Sequence, residues 1–291
     1  MMKNHKKTVG ALAAATAMLT GYALAGEPAP APVMEPAPTN DFFSGELHVG
    51  YNSNYEFRFV DRGDNMVEVG LDGAFDLGNG WGINVGAWYA GINEDNAWSV
   101  ANFTTPNELD LYFGVRKDFG VVDVEAGYIY YYFDDSAMNW LAGPVPGAGL
   151  LWTNLQDTQE IYASLGVNLP WDVRFATTYY WDIDTYSGWY WDFKLTKSFE
   201  FTDCLSLDLA VGTAMADGQG LQRSAKNSVG TDDGYQGWYA SAALPWKILD
   251  TVTLTPYIKY TDADSDLATS LVGVSSGKDM VIGGVTFAVS F

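Results

Sequence analysis

The chain has 291 residues, 36 acidic against 15 basic, and a formal net charge of −21. Such a balance excludes nucleic-acid binding, because phosphate contacts need Lys and Arg in number. The single cysteine, Cys204, excludes an internal disulfide and reads as a small packing residue.

The chain opens on MMKNHKKTVGALAAATAMLTGYALAG. Lys3, Lys6 and Lys7 form a basic head, Val9 to Leu19 a short apolar core, and Ala23-Leu24-Ala25 a small-x-small cleavage site. Residues 1–25 therefore read as a secretory signal peptide. The apolar core falls short of the roughly 20 residues that a spanning helix needs. Residues 26–43 alternate Ala and Pro, a composition that favours extended polyproline II and builds no core, so they read as a periplasmic linker.

From residue 44 to 291 one pattern recurs. Runs of about ten residues alternate apolar with polar and are separated by turn-rich segments. About twelve such runs begin near Glu46, Met66, Trp81, Glu108, Val121, Gln159, Val173, Ser187, Leu205, Gln236, Val252 and Met280. In the sixth, Ile161, Ala163, Leu165 and Val167 share one face, while Glu160, Tyr162, Ser164 and Gly166 share the other. Alternation alone fits a soluble sandwich as well as a membrane barrel. Three further features decide for the barrel.

The first is connection length. LGNG before Trp81, DFG before Val121, LPWD from Leu169, EFTDC from Glu200 and PWKILD from Pro245 are all short and fall at one parity. The long segments 93–107, 134–157, 217–234 and 262–278 fall at the other, with two short connections near Arg62 and Asp184. Short periplasmic turns opposite longer outer loops are the mark of an outer-membrane barrel. The second is aromatic placement. Trp81, Trp171 and Trp246 stand beside the short turns; Tyr130, Tyr132, Trp181, Trp189, Trp238 and Tyr260 stand at the other strand ends. Two such rings suit the two headgroup levels as membrane girdles.

The third is the polar face. Ten acidic residues lie on it (Glu46, Glu56, Glu68, Asp72, Asp110, Asp123, Glu125, Glu160, Asp192, Asp208), with five basic ones (Arg58, Arg116, Arg174, Lys194, Lys259). In a barrel these line the lumen, ionised where it is wet or where they pair. At the end of the chain, Phe287, Val289 and Phe291 face lipid, and the last strand closes beside the first, leaving no edge. The expected fold is all-β: a closed antiparallel transmembrane β-barrel of about twelve strands.

The first run carries Ser53-Asn54-Tyr55-Glu56-Phe57-Arg58. This resembles the S-[DN]-Y-x-[FW]-R element of the TorF-type porins of Gram-negative bacteria, in which a Gly usually follows the Arg. Here Phe59 follows, and a glycine comes only at Gly63. ASLGVNLPWD from Ala163 and ASAALPWK from Ala240 are similar to that family's strand-and-turn texture. The resemblance implies an outer-membrane barrel with a transport role and supplies no catalytic residues. The aromatic terminus likewise resembles the signal by which outer-membrane proteins are recognised, implying the barrel-assembly machinery as a transient partner and outer-membrane lipids as the solvent.

Chemistry is sparse. After the expected cleavage one histidine remains, His48, on the polar face and without a neighbouring nucleophile, which argues against a Ser/His hydrolase. DADSD from Asp262 begins like a calcium loop, but Leu267 stands where the glycine belongs and Gly273 where the final Glu belongs. No phosphate loop and no Cys/His metal cluster appears, so catalytic residues, metal and cofactor are all expected to be none. With acids outnumbering bases inside, the sequence points to a passive, cation-preferring channel. The competing reading is a non-conducting barrel that binds partners through its aromatic loops.

Overall fold

The computed structural model describes residues 42–94, 107–134, 157–185, 187–218, 234–264 and 279–291. The stretches read as signal peptide and linker, up to Asp41, and most of the four long connections lie outside the described residues.

Among the described residues, thirteen strands form one sheet. They are β1 (Phe43–Phe57), β2 (Val60–Gly78), β3 (Trp81–Glu94), β4 (Glu108–Asp118), β5 (Val122–Phe133), β6 (Thr158–Leu169) and β7 (Val173–Asp182). After them come β8 (Trp189–Thr202), β9 (Leu205–Asp217), β10 (Gly234–Ala243), β11 (Trp246–Leu249), β12 (Val252–Ala263) and β13 (Asp279–Ser290). Each pairs antiparallel with its neighbours, and β13 pairs with both β12 and β1, which closes the ring. β10 and β11 share one position between β9 and β12, so thirteen strands fill twelve places. The break falls at Leu244-Pro245, where proline has no N–H to donate to a ladder; its carbonyl still accepts from Ser206 N at 3.2 Å.

The alternation settles which face is which. On β1, Leu47, Val49 and Tyr51 point outward and are exposed, while Glu46, His48 and Asn52 point inward. β4 repeats this with Leu111, Phe113 and Val115 outside and Asp110 and Tyr112 inside. An apolar outer wall around a polar interior inverts the soluble arrangement and is what lipid requires. The turn-end connections are tight. In the β2–β3 turn, Asn79 and Gly80 take φ of 54° and 75°, and a side chain on Gly80 would strike the Asp118 carbonyl oxygen.

Two boundaries differ from the sequence reading. β1 takes in Phe43, the last residue assigned to the linker, because its ring packs on Phe75 at 5.0 Å and faces Phe291 at 6.4 Å. More importantly, the first hairpin does not turn near Arg62. It turns at Arg58-Phe59, and β2 starts at Val60 rather than near Met66. β1 and β2 run 15 and 19 residues, well beyond the roughly 9–11 that span a membrane. The excess has a particular destination.

Candidate functional site

The excess length folds into the barrel. Six consecutive residues, Tyr55 to Val60, are buried, at 1–6% exposure. A wall strand hides every second residue; a segment hidden on both faces has left the wall. The departure begins where the β1–β2 register shifts between Tyr55 and Glu56, since a bulge bends a strand and re-aims its side chains. Arg58 and Phe59 then make a two-residue turn with φ of 51° and 68°. The turn matches the twist of a hairpin but strains L-residues by about 1–2 kcal/mol each, and contacts on every side hold it.

These contacts run around the ring. Tyr55 donates its hydroxyl to Glu108 on β4, and its ring meets Trp88 on β3 at 6.0 Å. Glu56 accepts from Lys259 Nζ at 3.1 Å and from Thr261 Oγ1 at 2.7 Å, both on β12. Phe57 packs on Tyr131 of β5 at 6.2 Å, and Phe59 on Tyr239 of β10 at 6.1 Å. Arg58 reaches β6, where its two terminal nitrogens donate to the two carboxylate oxygens of Glu160 at 2.9 and 2.7 Å. Its guanidinium carbon also lies 4.9 Å from the Tyr180 ring centre on β7 and 4.6 Å from that of Tyr190 on β8. The hairpin thus crosses the interior at the end opposite the short turns and plugs it.

Below the plug the charged residues divide by depth. In the middle they are hidden by hydrogen bonds to flat-lying neighbours. Glu68 accepts from Trp88 Nε1 at 3.1 Å, Glu125 from Tyr162 at 2.5 Å and Asn84 at 2.9 Å, and Asp192 from Tyr239 at 3.1 Å. Asp72 accepts from Tyr112 and stands 3.6 Å from His48. Asp110 lies two positions along the same inner row from Glu108, fully buried. The rings lie flat because small residues face them: a side chain at Gly86 would strike Tyr112, and one at Gly212 would strike Tyr239. Toward the short turns the interior is solvated. Arg174 pairs with Asp123 at 2.7 Å with both side chains partly exposed, and Arg116, Lys194, Glu46 and Asp208 point into the same half-exposed space. Asp208 there accepts from Ser198 at 2.6 Å, and Glu46 from Ser290 at 3.4 Å.

Thirteen of the fifteen charged residues read onto the polar face thus lie at buried or half-buried positions of the wall strands, and the other two, Glu56 and Arg58, are carried by the hairpin. On the outside, Trp81, Trp171 and Trp246 are exposed at the short-turn end. At the far end Tyr132, Trp181 and Trp238 are exposed and Tyr130, Trp189 and Tyr260 half-buried, with Trp238 against Tyr260 at 5.3 Å. Phe287 and Phe291 are exposed outward and Val289 is half-buried beside them. Asp262 accepts from Trp238 Nε1 at 3.1 Å; the end of the DADSD stretch lies outside the described residues. No group of three acidic, His or Cys side chains among the described residues is arranged to hold a metal.

Alternation could not find Tyr55, Phe57, Phe59 and Arg62, because it assigns one face to a segment that has two buried ones. The usable signal was length, two strands far longer than a membrane needs.

The class is plain: a closed, twelve-position outer-membrane-type β-barrel with an internal plug. No family model matches the chain, and no curated protein is similar to it in sequence. Among solved structures it is similar to the COG4313 outer membrane channel from Pseudomonas putida F1, at 10% identity over 91% of this chain and 99% of that one, with a TM-score of 0.53. The NanC porin (11% identity, 85% and 98% covered, TM-score 0.47) and the KdgM porin (11%, 85% and 99%, 0.46) match at lower TM-scores. At such identities the likeness is one of fold.

Proposed function

We propose that the protein is an outer-membrane channel of the porin type, for passive diffusion of small cationic or neutral solutes, closed in this conformation by its β1–β2 hairpin. The observation that carries the reading is the inner wall. Thirteen charged side chains line a ring whose exterior is apolar, and the plug is the inturned end of the β1–β2 hairpin, which carries Glu56 and Arg58 away from that wall. A barrel filled only for stability has little use for nine wall carboxylates, since buried charges lower stability unless they are paired. Their excess over four wall bases favours cations.

On this reading the signal peptide delivers the chain across the inner membrane, Phe287, Val289 and Phe291 address it to the assembly machinery, and the two aromatic rings sit in the lipid headgroups. The strand-one motif suits membership of the TorF-type porins; Phe59 replaces the glycine that would take φ of 68° without strain.

The plug itself favours a second reading, a non-conducting barrel that serves as a scaffold for its outer loops. Planar-bilayer recording decides between them. The channel reading expects rare openings from the wild type and steady conductance from a variant whose residues 55–62 are replaced by a short Asn-Gly turn. Silence from both, with the shortened barrel folded, supports the scaffold and removes the channel.

A further inference from the structure

The wall groups that grip Arg58 have the form of a binding site. Glu160 offers both oxygens to the guanidinium, and Tyr131 donates its hydroxyl to Glu160 Oε2 at 2.9 Å, fixing the carboxylate. Tyr180 and Tyr190 present ring faces to the same cation. The four residues stand on four successive strands, β5 to β8, and none is more than 3% exposed. A planar fork matched to two oxygens, with aromatic faces against it, is the geometry that separates a guanidinium from an ammonium.

Nor does the arrangement depend on Arg58 for its parts. Tyr180 packs against Tyr190 at 6.3 Å and against Tyr162 at 6.0 Å, and Glu160 is held by Tyr131, all within the wall. Arg58 arrives from the one segment among the described residues that has left the wall, on a strained turn. A wall pocket whose parts are held within the wall and filled by a side chain from outside it has the form of a receptor with an internal ligand.

We propose that Glu160, Tyr131, Tyr180 and Tyr190 form a guanidinium-binding site in the lumen, that Arg58 occupies it as an internal stand-in, and that solutes carrying a guanidinium group compete with Arg58 for it. Such a solute takes the grip that holds the hairpin tip, so binding and plug release draw on the same two oxygens. That these solutes are also what the barrel passes rests on the channel reading above; the site itself does not.

The test removes the stand-in. Folded Arg58→Ala barrel in detergent is titrated calorimetrically with guanidinium chloride in the millimolar range, with methylammonium chloride and sodium chloride as controls. Saturable binding of guanidinium is expected, roughly tenfold or more tighter than methylammonium, and lost by a similar factor in Arg58→Ala/Glu160→Gln, as the loss of a charge-assisted hydrogen bond implies. Wild type should bind more weakly than Arg58→Ala, because Arg58 competes. Equal responses from Arg58→Ala and Arg58→Ala/Glu160→Gln, or equal responses to guanidinium and methylammonium, overturn the proposal. Should Arg58→Ala fail to give a folded, heat-modifiable band, the variant with residues 55–62 replaced by an Asn-Gly turn carries the same titration, with and without Glu160→Gln. A barrel that binds guanidinium in this way but never conducts keeps the site and removes the channel.

Discussion

Arg58 and Glu160, 102 positions apart in sequence, meet as a two-pronged pair inside the barrel, with side chains 1% and 0% exposed. Removing one partner of such a pair leaves an uncompensated buried charge, at about 3–5 kcal/mol. On the channel reading the cost falls on the plugged conformation alone, because withdrawal of the hairpin would let water reach whichever group is left. Glu160→Gln should therefore leave the barrel heat-modifiable while shifting the plug toward its open position, and about 5.5 kcal/mol would carry a 1:99 equilibrium to 99:1. Open time in bilayer recordings should rise, and a band that loses heat-modifiability would show that the pair holds the wall rather than the plug.

Lys259 and Glu56 make a second grip on the same hairpin, at 3.1 Å, with Thr261 on the same carboxylate. Lys259→Met should raise open time as Glu160→Gln does. Both contacts are broken by one movement of one rigid element and share no group, so their free-energy effects on opening should add until open probability saturates. Open probability in the two single variants and the double variant measures the coupling. Marked non-additivity would mean that the two contacts are coupled or report on separate movements.

Much of this architecture is legible in the sequence, for a physical reason. Lipid on one side and a polar interior on the other force strict alternation, so Leu47, Val49 and Tyr51 separate from Glu46 and His48 without any structure. Turn chemistry fixes the short connections, and ten of the twelve expected strand starts lie within two residues of a strand's first residue. The plug escapes because its burial comes from crossing the lumen, a long-range event. Phe57 meets Tyr131 and Phe59 meets Tyr239, partners that no local pattern names. Glu160 and Arg58 are both readable as inward, yet their pairing depends on how far the hairpin bends at Tyr55/Glu56.

Phe291 completes the ring. Its N–H donates to the Gly45 carbonyl at 2.8 Å, and Gly45 N–H donates to the Phe291 carbonyl at 2.7 Å. A side chain on Gly45 would collide with the Phe291 ring. Deleting Phe291 removes both bonds from the seam and the outward aromatic together. Outer-membrane yield should fall severalfold, with a smaller change in the melting point of whatever barrel is recovered from refolding in detergent. Equal losses in both would assign the residue to seam stability alone.

Asp208 and Leu209 test the facing of the wall itself. They are neighbours on β9, with Leu209 39% exposed on the outside and Asp208 inside, accepting from Ser198 at 2.6 Å and Ser206 at 3.4 Å. Leu209 pairs with Lys197 on β8 and Ala242 on β10, part-way from the short-turn rim toward the middle of the wall. An arginine facing lipid near the midplane costs roughly 2–4 kcal/mol, less toward the rim. At position 208 the same side chain enters the solvated vestibule that already holds Arg174, Asp123 and Lys194. Leu209→Arg should lower the folded fraction in lipid vesicles, read by gel shift. Asp208→Arg should fold, lose its two serine hydrogen bonds at modest cost, and move the reversal potential in a salt gradient away from cations when placed in the shortened-hairpin barrel. A folded Leu209→Arg beside an unfolded Asp208→Arg would invert the strand's facing. An unchanged reversal potential in the folded Asp208→Arg barrel would show that the vestibule carboxylates do not select the ion.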